Sequence, residues 1–297
     1  MKFFLLSIVM LFQNCELIQS SSPVSTADAG GDFRSRLAKG KDILVEGEEI
    51  SGEIDFTGYG ISYPIAPGTN RVNINSSVTF NKCRFKGKII AYKNEPGGKV
   101  TATSFTKNMT FTDCTFEEDV TFRGTNIQEQ ASFSGCIFLK KANFEELDCQ
   151  SYAVFSNCRF STDVRFQNAY FRKKADFMKT EFSQSVNYQG AYFMLDAQFG
   201  AVKCFKNADF SLVQFYGHAF FNYAEWNDQV TFEDAWLKGR AEFIHTKFVN
   251  ASFKNAWFLG RPRFDQATVD ISIDLSGAHW MGGKPEWGSI DKGKMKE

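Results

Sequence analysis

Large apolar residues recur along this chain in alternating steps of five and six. From Phe111 they fall at 116, 122, 127, 133, 138, 144, 149, 155, 160, 166, 171, 177, 182, 188, 193, 199, 204, 210, 215, 221, 226, 232, 237, 243 and 248. Twenty of these 26 positions are Phe; the others are Ile127, Cys149, Tyr188, Cys204, Trp226 and Leu237. Two residues before each lies a second series, mostly small: Ala131, Ala153, Ala175 and Ala197, with Cys, Val or Thr in most other places and Met109 and Leu147 as the large exceptions. Small-x-large is the alternation of a short strand, which sends residues i−2 and i to one face and i−1 and i+1 to the other. Steps of five and six fit no helical face, which needs threes and fours. Segments this short are unstable alone, so they must stack as coils in which Phe lies on Phe.

The pattern A-x-F-x-x-A-x-F, as in Ala169-Tyr170-Phe171 through Ala175-Asp176-Phe177, resembles the pentapeptide-repeat family in its Phe-centred variant with an eleven-residue double repeat. The resemblance spans roughly residues 72–280. It implies an all-β fold, a right-handed quadrilateral β-helix; periodicity alone yields only a β-solenoid. Four segments per coil give 22 residues, and the 26 centres then make about six and a half coils. Solenoid ends must be covered. Residues 32–71 read as an N-terminal cap and first strands, with a short capping helix over Asp32–Gly40 closed by Gly40, and strands over 43–56. Residues 86–104 break the rhythm and contain Pro96-Gly97-Gly98, which predicts a protruding loop or hairpin. Weak repeats at Ala267-Thr268-Val269 and Ala278-His279-Trp280 place Trp280 and Trp287 over the last coil. Residues 281–297, with Lys292, Lys294 and Lys296, read as a solvated tail.

The N-terminus carries an address. Met1-Lys2 precedes an apolar run over residues 3–12, too short to span a bilayer as a helix but suited to an export signal. Phe12-Gln13-Asn14-Cys15 resembles the lipobox of bacterial lipoproteins, although Asn14 stands where a small residue is usual and Phe12 where Leu is commoner. Residues 1–15 are therefore expected to be a signal peptide ending in lipidation at Cys15, and 16–31 a flexible tether. Cleavage near Ala27-Asp28-Ala29 is the alternative, but it lies far beyond the apolar run. The expectation is an exported protein, lipid-anchored to a bacterial membrane.

Charge and chemistry narrow the function. Lys and Arg total 34 and Asp and Glu total 34, so the net charge is zero. That argues against a nucleic-acid partner, which needs a basic footprint, and equally against an acidic imitation of DNA. Cys114, Cys136 and Cys158 stand 22 apart on the inward face, in a column that continues as Thr180, Val202, Ala224 and Thr246. Cysteine here behaves as a small filler, a structural ladder of free thiols. No CxxC or Cys/His spacing suggests a metal, and in-register neighbours make poor disulfide partners. No cofactor is expected. His218, His245 and His279 pair with no nucleophile in the register, and Glu181, Lys203 and Glu225 read as a surface charge ladder.

One outward column is distinctive: Tyr170, Tyr192, Gln214, Trp236 and, after a one-residue slip, Trp257. Its companion on the same wall is Arg172, Met194, Tyr216, Lys238 and Leu259. The neighbouring wall carries Thr121, Asn143, Arg165, Asn187, Asp209 and Thr231. Contiguous exposed aromatics mark interaction sites. Tyr170, Tyr192, Gln214, Tyr216, Trp236 and Trp257 are thus the candidate binding residues for a protein or glycan of the cell envelope, with spacing suited to stacking on sugar rings. The reading is a non-catalytic scaffold. Alternatives are a carbohydrate-active β-helix enzyme, which needs three or more carboxylates in one groove, and a purely structural envelope protein in which the aromatics stiffen the sheet. A homodimer would pair through an end or through the aromatic wall.

Overall fold

A computed structural model describes residues 29–297; the expected signal, Cys15 and most of the tether lie outside the described residues. Helix α1 (Ala29–Ala38) opens the fold, three residues earlier than the sequence suggests. It places Phe33 and Leu37, one turn apart, on the end of the core, and Gly40 turns the chain at φ 64°. Phe33 meets Phe80 edge-on at 5.4 Å.

Beyond α1 the chain is a four-sided β-solenoid of about nine coils. The first coil already follows the register: β1 (Ile43–Glu46), β2 (Glu49–Ile50), β3 (Ile54–Asp55), then a hairpin of β4 (Ile61–Ala66) and β5 (Thr69–Ile74). The second holds β6 (Val78–Asn81), β7 (Arg84–Phe85), β8 (Ile89–Ile90), β9 (Tyr92–Glu95) and β10 (Lys99–Phe105). The predicted insertion is the antiparallel hairpin of β9 and β10. The β4–β5 hairpin has no counterpart in the sequence reading. From Met109 to Ala241 each coil takes 22 residues, so that Ala131, Ala153, Ala175, Ala197, Ala219 and Ala241 pair one above another in parallel. Four ladders result. The first wall is a 9-stranded sheet and the fourth belongs to a 12-stranded sheet; the second and third join in one 18-stranded sheet because Glu225–Thr231, Lys247–Ser252 and Thr268–Asp274 run unbroken round their common corner.

The five-six alternation has a structural cause. A residue with positive φ recurs every eleven positions, from Asp113 through Gly135, Asn157 and Lys179 to Tyr223 and His245. It is the third residue of a tight turn such as Phe133-Ser134-Gly135-Cys136, closed by the Cys136 N–H to the Phe133 carbonyl at 3.1 Å. Tight turns follow the first and third walls; wider corners follow the second and fourth. At the wider corners a side chain accepts the backbone N–H one coil on, as Asp163 does from Ser185 and Asp196 from His218.

Inside, each column of rings stacks along the axis: Phe155, Phe177, Phe199 and Phe221 lie 5.0–5.1 Å apart and within 10° of parallel. A second column, Phe144, Phe166, Tyr188 and Phe210, stacks likewise and meets the first edge to face, Phe155 on Phe166 at 86°. Small residues at i−2 leave room for these rings, and dispersion with quadrupole alignment adds about 0.5–1.5 kcal/mol per pair beyond area burial.

The C-terminus departs from expectation. Trp280 and Trp287 do cover the last coil, on Phe258 at 4.7 Å and Phe264 at 5.0 Å. The three lysines, however, are not simply a solvated tail: Met295–Lys296 adds a strand beside Ile273 and Asp274, and Lys294 Nζ donates to the Val269 carbonyl at 2.6 Å. Pairing satisfies an otherwise bare end rung, which a free tail would leave open.

Phe199 is fully buried against six rings. Phe199→Ala is therefore expected to cost about 3–5 kcal/mol, measured by denaturant unfolding; a cost under about 1 kcal/mol would show that the ring stack does not hold the core.

Candidate interaction surface

The corner chemistry divides the four walls into two kinds. On the first and third walls the outward residue before each Phe sits at the mouth of a tight turn, and where it is Asn, Asp, Ser or Thr it caps that turn; Val154, Arg165 and Phe220 stand at the same position without a cap. Asp176 accepts from the Met178 N–H, Asn143 from Glu145, Asn187 from Gln189 and Asp209 from Ser211. The polar wall is thus occupied by its own turns. Outward residues of the second and fourth walls precede the wide corners and carry no such duty.

The second wall uses this freedom for charge. Arg159, Glu181, Lys203, Glu225 and Lys247 are in register, with Arg159–Glu181 at 3.7 Å, Lys203–Glu225 at 3.6 Å and Lys247–Glu225 at 3.5 Å. Exposed pairs of this kind contribute little each. Their carboxylates are neutralised by cations rather than gathered in a groove. Among the described residues no group of three or more His, Cys, Asp or Glu is arranged to hold a metal.

The fourth wall carries the aromatic column, and the pairing runs Asn126, Asp148, Tyr170, Tyr192, Gln214, Trp236, Trp257, His279. The slip that brings Trp257 beneath Trp236 comes from one residue fewer at the corner after Phe248. His279 extends the column by a rung; its 22-residue spacing from Trp257 was the signal. A glycine series flanks the wall at 217, 239, 260 and 282, where the next corner brings successive coils together: a Cβ on Gly239 would lie 2.2 Å from the Gly217 carbonyl oxygen. These glycines, 22, 21 and 22 apart, also went unread.

The rings lie on one another rather than facing outward. Tyr170 and Tyr192 stack at 5.4 Å and 26°, Trp236 and Trp257 at 5.3 Å and 16°, Trp257 and His279 at 3.8 Å and 19°. Cations cover further faces: Lys238 Nζ stands 3.5 Å from the Tyr216 centroid, and the Arg172 guanidinium 4.7 Å from that of Tyr170. Arg172 is held by a fork to Asp148 at 2.9 and 3.1 Å, which also raises its pKa. The expected sugar platform needs open ring faces, and here Tyr170, Tyr192, Trp236 and Trp257 each have at least one face on a neighbouring ring. What the wall presents is ring edges, with Met194 and Leu259 beside them. Tyr216 and Trp236 are exposed and Tyr170, Tyr192, Gln214 and Trp257 half-buried. The β9–β10 hairpin sits beyond one end of the column, with Tyr92 under Arg123 at 5.2 Å.

The cysteine ladder is internal. Cys114, Cys136 and Cys158 are buried free thiols whose Sγ donates to a carbonyl of the preceding coil: Cys136 to Phe111 at 3.4 Å and Cys158 to Phe133 at 2.9 Å. Thr180 and Thr246 make the same bond with their hydroxyls, to Phe155 and Phe221. The ladder is therefore a donor column, which explains why Cys and Thr share it. The hydrogen-bonded thiol of Cys136, together with burial, pushes Cys114 up to about 12, and burial raises Cys158. His218 accepts the Arg240 N–H on Nδ1, and His245 holds a positive-φ turn under Tyr223 at 4.7 Å.

The family profile described as pentapeptide repeats (9 copies) matches residues 101–147, which supports the repeat family for that stretch. The same coil register continues from there through Trp280, with one 21-residue step. No curated protein matches the chain.

With the thiols buried, Cys114, Cys136 and Cys158 should take up no maleimide in the folded protein and react fully in denaturant. Native-state labelling of any of the three, read by peptide mass, would show an open site instead.

Proposed function

We propose that this protein is a non-catalytic repeat scaffold, exported and held to a bacterial membrane through lipid on Cys15, that docks an envelope protein along its fourth wall. The observation that carries the reading is the division of the walls. Two hold the tight turns, capped at many rungs by Asn, Asp, Ser or Thr, and one carries mutual charge pairs, while the fourth offers a column of Tyr170, Tyr192, Trp236, Trp257 and His279 interrupted only by Gln214. A rigid column of ring edges with adjacent Met194, Leu259 and Lys238 suits a protein surface, where Tyr and Trp supply contact area at low entropic cost. Mutually stacked faces suit a glycan poorly. The solenoid supplies the rigidity such a surface needs, because each rung is fixed by the coil on either side.

The test is capture from detergent-solubilised envelope. Tyr192→Ala with Trp236→Ala should leave the unfolding midpoint nearly unchanged and lower capture of a specific protein at least about tenfold, the scale of one or two lost aromatic anchors. Asn187→Ala on the third wall should cost stability but not capture. Undiminished capture by the double variant, or specific retention of a polysaccharide instead, would contradict the reading. Cys15→Ser should release the protein from the membrane fraction.

A further inference from the structure

The first coil exposes a surface that the aromatic wall does not explain. β4 is the terminal strand of its sheet, paired with β5 on one side only, and all six of its residues are exposed. Ile61 is 76% exposed and Ile65 46%, with Tyr63 between them. Strand alternation puts Ile61, Tyr63 and Ile65 on one face. Across residues 61–70, Ile-Ser-Tyr-Pro-Ile-Ala-Pro-Gly-Thr-Asn, there is no charge at all, in a protein whose composition is 23% charged. Exposed β edges in soluble surroundings are normally guarded by Lys or other charges. Here only Pro64 interrupts the row of donors.

We propose that the β4–β5 hairpin rests on a lipid bilayer, with Ile61, Tyr63 and Ile65 in the interfacial zone. This rests on the reading of Cys15 as a lipid anchor, and the geometry agrees with it. Thirteen residues separate Cys15 from Ala29, a reach of at most about 45 Å when fully extended. The chain enters the solenoid from that tether through α1, which packs on the end beside the first coil, so this is the end next to the anchor. Strands of a solenoid run across its axis, so β4 lies flat over the near end and can touch the surface along its whole length. Tyr63 suits this depth, with an apolar ring and a hydroxyl that donates to Asn73 at 3.1 Å. Lys39 lines the same shallow cleft as Ile61, where its ammonium can meet lipid phosphate. The free backbone edge of β4 confines the contact to the wet interface, since unpaired N–H and C=O groups do not enter hydrocarbon. Glu46, Glu49 and Glu53 are exposed on other sides of the first coil, so the contact tilts toward the hairpin rather than seating the whole end.

The test uses the full chain with vesicles of phosphatidylcholine. An environment-sensitive fluorescent amino acid is encoded at position 65 and, separately, at position 281 on the far end. The probe at 65 should shift to the blue and be quenched at least about twofold by nitroxide-bearing lipid, as an interfacially buried side chain is, while the probe at 281 should not. Ile61→Asp should reduce the quenching at 65. Flotation of Cys15→Ser tests the anchor separately, and quenching at 65 supports the contact whatever that variant does. An unquenched probe at 65 overturns it, whether the chain floats with the vesicles or has instead doubled in mass by pairing through β4.

Discussion

Everything in this molecule follows from parallel, in-register stacking of one coil on the next. Ring on ring at about 5 Å is both the packing distance of aromatic faces and the spacing of hydrogen-bonded strands, so one geometry satisfies side chains and backbone together. The match leaves little freedom. Every inward position becomes a column, and a change at one rung is felt by the rungs above and below. Tyr188 and Trp226 show the tolerance of the system. Cys204 takes a position in register with Phe182 and Trp226, and the larger rings of Tyr188 and Trp226 stand in neighbouring columns or rungs.

The same stacking makes every outward residue part of a column, and the corners then decide what each column can be. Tight turns favour a polar cap before them, which puts Asn, Asp, Ser or Thr at many rungs of two walls, with Val154, Arg165 and Phe220 among the exceptions. Wide corners ask nothing of the preceding residue. The other two walls are free of that demand, and the sequence fills one with alternating charge and the other with aromatics. This connects a local matter, the positive φ at every eleventh residue, to the place where a partner can bind.

Much of this was legible before any coordinates. The Phe register gave the coil length, the inward cysteines and the aromatic column, including the slip that places Trp257. The β9–β10 hairpin was legible because Pro96-Gly97-Gly98 interrupts a strong period. What escaped lies where the period is weak or where pairing decides. The β4–β5 hairpin has no Phe to mark it, and its strands are defined by partners rather than by alternation. Lys294 and Lys296 look like a tail in sequence because charge outweighs one short strand; the bare end rung they pair with is invisible there. Ring orientation on the fourth wall was also out of reach. Column membership fixes where Tyr192 and Trp236 stand, but only the stacked geometry shows that they offer edges and not faces.

The central claim is that the fourth wall, and not its polar neighbour, is the surface that meets a partner. The most direct measurement is photo-crosslinking in cells from a light-activated residue at position 192 or 236, compared with 187 or 231 on the third wall of the same coils. The account predicts a discrete protein adduct from 192 and 236 and none from 187 and 231. Equal adducts from both walls, or none from either, would contradict it.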